Sequence, residues 1–262
     1  LHLAGQVAVT SSIVDPRADF EANALGTLNV LEAARWAKLE VPIFFSSSNK
    51  VYGAMERAGL VERGGRYEYS DLANGVSEEQ NLDFHSPYGC SKGAADQYVR
   101  DYQRIYGLKT VVFRQSCIYG YRQFGVEDQG WVAWFIIAAC RGLPITLYGD
   151  GKQVRDVLFI DDLLEAFDAA ANHSEQTCGQ VYNLGGGPQN TMSLRELLAY
   201  LEEKQEQPLN LEQAAWRPGD QKVYVSDIRK AKADFGWEPA VSVRQGLDLL
   251  YAWVSANKEL FE

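Results

Sequence analysis

Val41-Pro42-Ile43-Phe44-Phe45-Ser46-Ser47-Ser48-Asn49-Lys50-Val51-Tyr52-Gly53 is the stretch on which the fold turns. Its first half is a short, continuous apolar run, the pattern of a strand buried on both faces of a parallel sheet. Its second half changes abruptly to hydroxyls, an amide and an ammonium. Ligands of open α/β sheets bind outside the carboxyl ends of the strands, so these polar groups mark a candidate site. Taken alone, they also read as a serine-rich turn.

The flanking sequence supports the strand. Residues 21–38 carry Ala22, Leu25, Leu28, Leu31, Ala33 and Ala34 at helical spacing. Gly26 inside that helix costs about 1 kcal/mol relative to alanine, which close packing against a sheet would explain. Residues 54–84 are polar and lack clear periodicity, long for a connection inside a compact domain. Ser86-Pro87 then opens a helix over about 87–106, with Ala95, Tyr98, Val99, Tyr102 and Ile105 on one face and Gly107 as its stop. Thr110-Val111-Val112-Phe113 is a second buried strand, and it too ends in polar residues, Arg114-Gln115-Ser116. Strand, helix and strand in this order predict a βαβ unit, so the expected class is α/β with a Rossmann-like, doubly wound parallel sheet.

Further along, residues 129–141 read as a helix, and Gly149-Asp150-Gly151-Lys152-Gln153 as a hairpin-type turn before the strand Val154–Phe159. Asp161-Asp162 is expected to cap a helix over 162–172. The strand Val181–Leu184 closes on Gly185-Gly186-Gly187, where no GxGxxG spacing is completed, so these glycines read as a turn. Ser193 and Glu196 form a capping box for a helix over 194–204. Trp216-Arg217-Pro218-Gly219-Asp220 is a loop carrying one cation and one anion. Two helices, in the segments from Ile228 to Phe235 and from Val243 to Asn257, end the chain.

The 262 residues carry a formal charge of -10, with no basic surplus for a nucleic-acid partner. No run of 18 apolar residues suggests a membrane span. Cys90, Cys117, Cys140 and Cys178 match neither a metal site nor a disulfide frame, so buried free thiols in a reducing cytoplasm are expected. His2, His85 and His173 are too scattered for a metal cluster.

Tyr88-Gly89-Cys90-Ser91-Lys92 places a phenol and an ammonium four residues apart, on one face of the helix. A lysine there should lower the tyrosine pKa and let the phenol take a proton from an alcohol while hydride leaves the same carbon. The spacing alone is common on surface helices. It gains meaning from the order of four pieces: Leu3-Ala4-Gly5 after a strand, Ser46-Ser47-Ser48 after the next, Tyr88-x-x-x-Lys92, and Arg217-Pro218-Gly219-Asp220. This order resembles the extended short-chain dehydrogenase/reductase family, the nucleotide-sugar epimerases and dehydratases, over essentially the whole chain. Within it the likeness runs to the 2-epimerases of nucleotide-linked dideoxy sugars, through His2–Thr10, Ser47–Gly53, Leu82–Tyr98 and Asp128–Val132.

The resemblance implies a catalytic triad of Ser48, Tyr88 and Lys92. It implies NAD as cofactor, contacted by Leu3, Ala4, Gln6, Asn23, Ser46, Ser47, Tyr88, Lys92 and Ser116. It implies a nucleotide-sugar substrate held by Ser48, Arg155, Arg217 and Asp220, and no metal. Serine at position 48 keeps the hydroxyl where that subgroup often has threonine. Dehydratases carry Asp-Glu where this chain has Asn49-Lys50, which argues against elimination. The division implied is a partial dinucleotide-binding domain over 1–120 with a return segment at about 157–187, and a smaller mixed α/β substrate domain over 121–156 and 188–262. A homo-oligomer, dimer or dimer of dimers, follows by the same likeness. The family's first strand, glycine-rich turn and following acidic residue have no counterpart here. The chain therefore reads as N-terminally truncated, with an exposed sheet edge and weak NAD binding of its own; another nucleotide-sugar 4-epimerase or dehydratase, or a silent sugar-nucleotide-binding protein, are the competing expectations.

Overall fold

A computed structural model describes residues 1–217 and 220–261. Its centre is a parallel sheet in the order Ile43–Ser48, Thr110–Gln115, Val181–Leu184. His2 continues the sheet on the free side of the first strand: its amide donates to the Phe44 carbonyl (2.8 Å), and its carbonyl accepts from the Ser46 amide (3.2 Å).

Alternation along the strands sorts the core into two layers. Ile43, Phe45 and Val112 pack with Leu31, Ala34, Ala95, Val99 and Tyr102, contributed by the helices Gly26–Trp36 and Ser86–Tyr106. Phe44, Val111 and Phe113 pack on the opposite face with Leu163, Ala166, Phe167 and Phe235, from the helices Ile160–Asn172 and Arg229–Phe235. Burying a side chain such as Phe45 in this way contributes roughly 1.5–3 kcal/mol. The sheet is thus covered by helices on both faces, the α/β class expected from the sequence. A third cluster, around Ile136, Leu197, Leu201 and Leu250, joins the helices Trp131–Arg141, Leu194–Gln205 and Val243–Ala256.

Several local expectations are corrected. The first long helix begins as Pro16–Phe20, passes through a π-helical turn at Glu21–Leu25, and continues as Gly26–Trp36. Its buried face is Asn23, Ala24, Thr27, Leu31 and Ala34, while Leu25 is exposed, because the wide turn rotates the face. Gly26 does not mark close packing: the nearest neighbour of an added Cβ would be the Glu21 carbonyl at 3.5 Å. Residues 54–84 contain a β-hairpin, Leu60–Arg63 against Arg66–Tyr69. It turns on Gly64-Gly65, both with positive φ, the conformation a two-residue hairpin turn demands.

The turn at residues 149–153 is not a hairpin. Ile145–Tyr148 pairs with Leu211–Ala214. Val154–Phe159 pairs instead with Cys117–Tyr119, Thr191–Ser193 and Val223–Tyr224. Asp161 and Asp162 sit in the first helical turn without capping it; Asp162 instead accepts from the amides of Ala240 and Val241, both at 3.0 Å. The expected Ser193–Glu196 capping box is present, and Gly185–Gly187 form a turn packed on Asp156 and Val157. Of the expected buried thiols, Cys90 is exposed and the other three are partly covered.

A buried network fixes the strand ends to the helix Ser86–Tyr106. Asp96 accepts from Arg114 in a fork, Nε at 2.9 Å and Nη2 at 3.0 Å. It also accepts from the Ser47 hydroxyl at 2.8 Å. Arg114 reaches the Tyr52 hydroxyl, which donates to Asn183 Oδ1 at 2.7 Å. Four segments distant in sequence are locked together beneath the polar ends of the strands. No helix among the described residues is long and apolar enough to cross a membrane.

Candidate active site

Above the strand ends lies a cavity of about 670 Å³, a volume typical of small-molecule sites. Ser46, Ser47, Ser48, Tyr88, Lys92, Ser116, Arg155, Arg217 and Asp220 all line it, as do Leu3 and Gln6. Residues drawn from positions 3 to 220 therefore converge on one wall. Pro218 and Gly219 of the loop anticipated at 216–220 lie outside the described residues.

Ser48 ends its strand, and its hydroxyl accepts from the Lys50 amide at 3.2 Å, turning the chain into the short helix Asn49–Tyr52. The Tyr88 phenol lies near enough to this hydroxyl for Ser48 to lower its pKa. Tyr88 and Lys92 share one buried face of their helix, as their spacing predicts. Gly93 lets that helix approach the loop beneath it: an added Cβ would meet the Phe84 ring at 2.3 Å.

The electrostatics differ from the sequence expectation. Burial raises the Tyr88 pKa; Ser48 opposes this, and Asp19 adds to the rise. Burial outweighs any lowering by a neighbour, so the net direction is upward. The Lys92 ammonium donates to the Ser46 carbonyl and sits 4.4 Å from the centre of the Phe45 ring. Burial brings Lys92 itself down to about 8, against the attraction of Asp96 and Asp19. The phenol of the protein alone is thus held in its proton-donating form.

At the other end of the cavity, Arg155 Nη2 donates to Asp220 Oδ1 at 2.8 Å. Arg217 lies 3.8 Å from the centre of the Tyr148 ring and pairs with Asp128 at 3.2 Å. Ser116 donates to buried Asp156.

Two expected cofactor contacts are placed otherwise. Ala4 and Asn23 are not on the cavity wall. The Asn23 side chain is consumed by protein partners: its Oδ1 accepts from the Gln6 amide at 2.9 Å, and its Nδ2 donates to Asp19 and Ser91. It shapes the Gly5-Gln6 turn from below, where an added Cβ on Gly5 would meet Asn23 Oδ1 at 2.7 Å. The sequence reading missed Thr10, Gln115, Gln123 and Gln153 as wall residues. Gln115 was within reach as the last residue of a buried strand; the others are glutamine and threonine in loops and a short helix, with no periodic signal.

Those residues bear on what the cavity holds. Gln6 Oε1, Thr10 Oγ1, Gln115 Nε2, Gln123 Oε1 and Gln153 Oε1 are buried with no hydrogen-bond partner among the described residues, and all five side chains belong to the wall. Buried polar atoms normally have partners. These five atoms lie beneath the cavity surface rather than open to it, so they mark a polar lining that the protein itself leaves incompletely paired. A parallel sheet covered by helices, with a polar cavity at the carboxyl ends of its strands, is a Rossmann-type arrangement.

Comparison with known proteins agrees. Residues 1–250 match the family described as GDP-mannose 4,6 dehydratase, and the chain belongs to it. The chain is 46% identical over 260 residues to CDP-paratose 2-epimerase of Salmonella typhi, covering 97% of this chain and 77% of that protein. This is the subgroup the sequence resembles. Among solved structures, UDP-glucose 4-epimerase of Thermus thermophilus in complex with NAD aligns at a TM-score of 0.80 and 33% identity, covering 98% of this chain and 77% of that one. The dTDP-glucose 4,6-dehydratase of Streptomyces venezuelae, solved with NAD, aligns at 0.83 with 26% identity, covering 100% and 74%.

Proposed function

We propose that the protein is an NAD-dependent nucleotide-sugar epimerase that interconverts CDP-paratose and CDP-tyvelose at C2. The observation that carries this reading is the presence of Ser48, Tyr88 and Lys92 with the Arg155–Asp220 pair in the lining of one cavity. The 46% identity to CDP-paratose 2-epimerase supports the sugar. Asn49-Lys50 after Ser48 supports epimerisation over elimination, since neither side chain can serve as the carboxylate acid or base of a dehydration.

The chemistry follows from the sugar. Inverting C2 requires breaking and remaking its C–H bond. In a 3,6-dideoxy sugar C3 is a methylene, so a ketone at C4 acidifies C3 and C5 and leaves C2 untouched. Oxidation at C2 itself is the direct route. Ser48 orients the C2 hydroxyl, and Tyr88 takes its proton. NAD, when bound, would supply the acceptor and donor for the C2 hydride. Lys92, with Gln115 and Ser116, stands where a nicotinamide ribose would be held. The 2-keto sugar turns over between the two hydride transfers, and Tyr88 gives the proton back on the other face.

Exposed Tyr98, Ile105 and Tyr106 on the Tyr88-bearing helix, with Val30 and Trp36 on its neighbour, support a homodimer built on these two helices. A cytoplasmic setting in lipopolysaccharide O-antigen synthesis goes with the sugar. The domain division at about residues 120, 157 and 187 belongs to the same proposal; the strand Val154–Phe159 runs through its middle boundary.

Incubating the protein with NAD and CDP-[2-²H]paratose, read by NMR, tests the reading. Conversion to CDP-tyvelose with deuterium retained on C2 is expected. Loss of deuterium to solvent, or conversion of neither CDP sugar, overturns it.

A further inference from the structure

Four cations line the cavity: Lys50, Lys92, Arg155 and Arg217. Three are already engaged. Lys92 donates to the Ser46 carbonyl. Arg155 donates to Asp220 and to its neighbour's carbonyl. Arg217 is held by Asp128, by the Glu127 carbonyl and by the Tyr148 ring. Lys50 differs: among the described residues no group accepts a hydrogen bond from its ammonium. Its charged neighbours are Arg155, which repels it, and Asp220, which attracts it but is paired with Arg155. Cys117 is the remaining ionisable group facing it.

Position and chain geometry place Lys50 between the two halves of the site. Its amide is anchored on the Ser48 hydroxyl, so its backbone is tied to the reacting end. Its side chain is in the field of the Arg155–Asp220 pair at the other end. Lys50 is half-buried on the cavity lining, and its ammonium has no protein partner among the described residues, so it is open to an anion that enters the cavity. Burial brings it down to about 8, with Arg155 adding to the fall, so at neutral pH it is charged and awaiting an anion.

We propose that Lys50 binds the phosphate oxygen on the anomeric carbon of the nucleotide sugar, and in doing so presents C2 to Tyr88. This rests on the nucleotide-sugar reading above and sharpens it. C2 is bonded to the anomeric carbon, so a reaction at C2 requires the acid/base and the sugar phosphate to be neighbours. A cation two residues after Ser48 meets that requirement. Glutamate at the same position would repel the phosphate, so the residue type at 50 sorts a reaction at C2 from an elimination further round the ring.

The test compares CDP with CMP by calorimetry, since only CDP carries the second phosphate, and follows turnover in parallel. In the wild type, CDP should bind at least about tenfold more tightly than CMP, a charge-assisted contact being worth that much. Lys50→Met should erase most of this preference while leaving CMP affinity unchanged, and should raise KM for the CDP sugar. Lys50→Arg should restore the preference to within a few-fold. The wild-type preference should fade between pH 7 and 9.5 as Lys50 loses its proton, whereas Lys50→Arg should keep it. Lys50→Gln serves in place of Lys50→Met if the latter does not fold. An unchanged CDP preference in the neutral variant, an equal loss of CDP and CMP affinity, or a wild type that binds neither nucleotide overturns the assignment. A wild type with the CDP preference but no turnover at C2 leaves Lys50 as the phosphate ligand and removes the C2 reading instead.

Discussion

Lys92 should cost the fold stability, and removing it should show how much. Its pKa falls from 10.5 to about 8 on folding, with burial the largest cause. At about 1.4 kcal/mol per pH unit, that fall is worth about 3 kcal/mol against the charged form. Lys92→Met keeps the apolar stem and discards the ammonium. The substitution also removes the donor to the Ser46 carbonyl, a hydrogen bond worth about 1 kcal/mol net. The variant should therefore be more stable than the wild type by about 2 kcal/mol at pH 7, and inactive.

The sign with pH follows from linkage. A cation whose folded pKa is depressed binds fewer protons folded than unfolded between the two values, so stability rises with pH there. Below pH 8 the wild type carries the whole penalty; above 10.5 it carries none. The stability gap between Lys92→Met and the wild type should thus be constant up to pH 8 and close between 8 and 10.5. Urea denaturation of both proteins at pH 7, 8, 9 and 10, followed by tryptophan fluorescence, measures it. Lys50, which falls in the same range, is common to both and cancels. A variant less stable than the wild type at pH 7, or a gap that widens above pH 8, would refute the reasoning.

Tyr88→Phe removes the proton carrier but not the ring, so turnover should drop by about 10² to 10⁴-fold with nucleotide affinity by calorimetry unchanged; a loss of affinity instead would make the phenol a binding group. Asp96→Asn leaves the buried Arg114 guanidinium without its counter-charge and should cost about 3–5 kcal/mol in urea denaturation, whereas a cost under 1 kcal/mol would mean that Tyr52 and water suffice. Gly93→Ala forces a methyl into the Phe84 ring and should cost about 1–3 kcal/mol; a crystal structure should show the 82–85 loop displaced, and an unmoved Phe84 would contradict this.

What was legible in the sequence follows the range of the forces involved. Ile43–Phe45 and Thr110–Phe113 declared themselves because burial on both faces demands an unbroken apolar run, a purely local requirement. Ser48, Tyr88 and Lys92 were legible because strand ends and an i,i+4 spacing place them with no knowledge of the rest. The turn at residues 149–153 was misread because its glycines fix only a change of direction. Which strand Val154–Phe159 then meets is decided by partners up to 70 residues away, such as Val223. The direction of the Tyr88 shift failed for the same reason. A tyrosine and lysine one turn apart suggest mutual influence, but the Ser46 carbonyl, 46 residues from Lys92 in sequence, takes the ammonium. Asn23 shows the same dependence on distant partners, since its side chain holds Gln6, Asp19 and Ser91.

These departures share a cause that connects stability to function. The wall contains two lysines driven down by burial, a phenol driven up, and five polar atoms with no partner in the protein. The two lysines and the five polar atoms lower the stability of the protein alone, and a ligand that brings an anion relieves the lysines; the phenol, neutral both folded and unfolded at pH 7, carries no such penalty. The buried Asp96–Arg114–Tyr52–Asn183 network works in the opposite sense, since its members are mutually satisfied beneath the same strand ends. A rigid, satisfied layer thus supports an unsatisfied one. The upper layer cannot relax by collapsing, because Ser47 and the Ser86–Tyr106 helix are held from below, so its free energy is released only on binding. For the two lysines, affinity for an anionic ligand and instability without it have the same source.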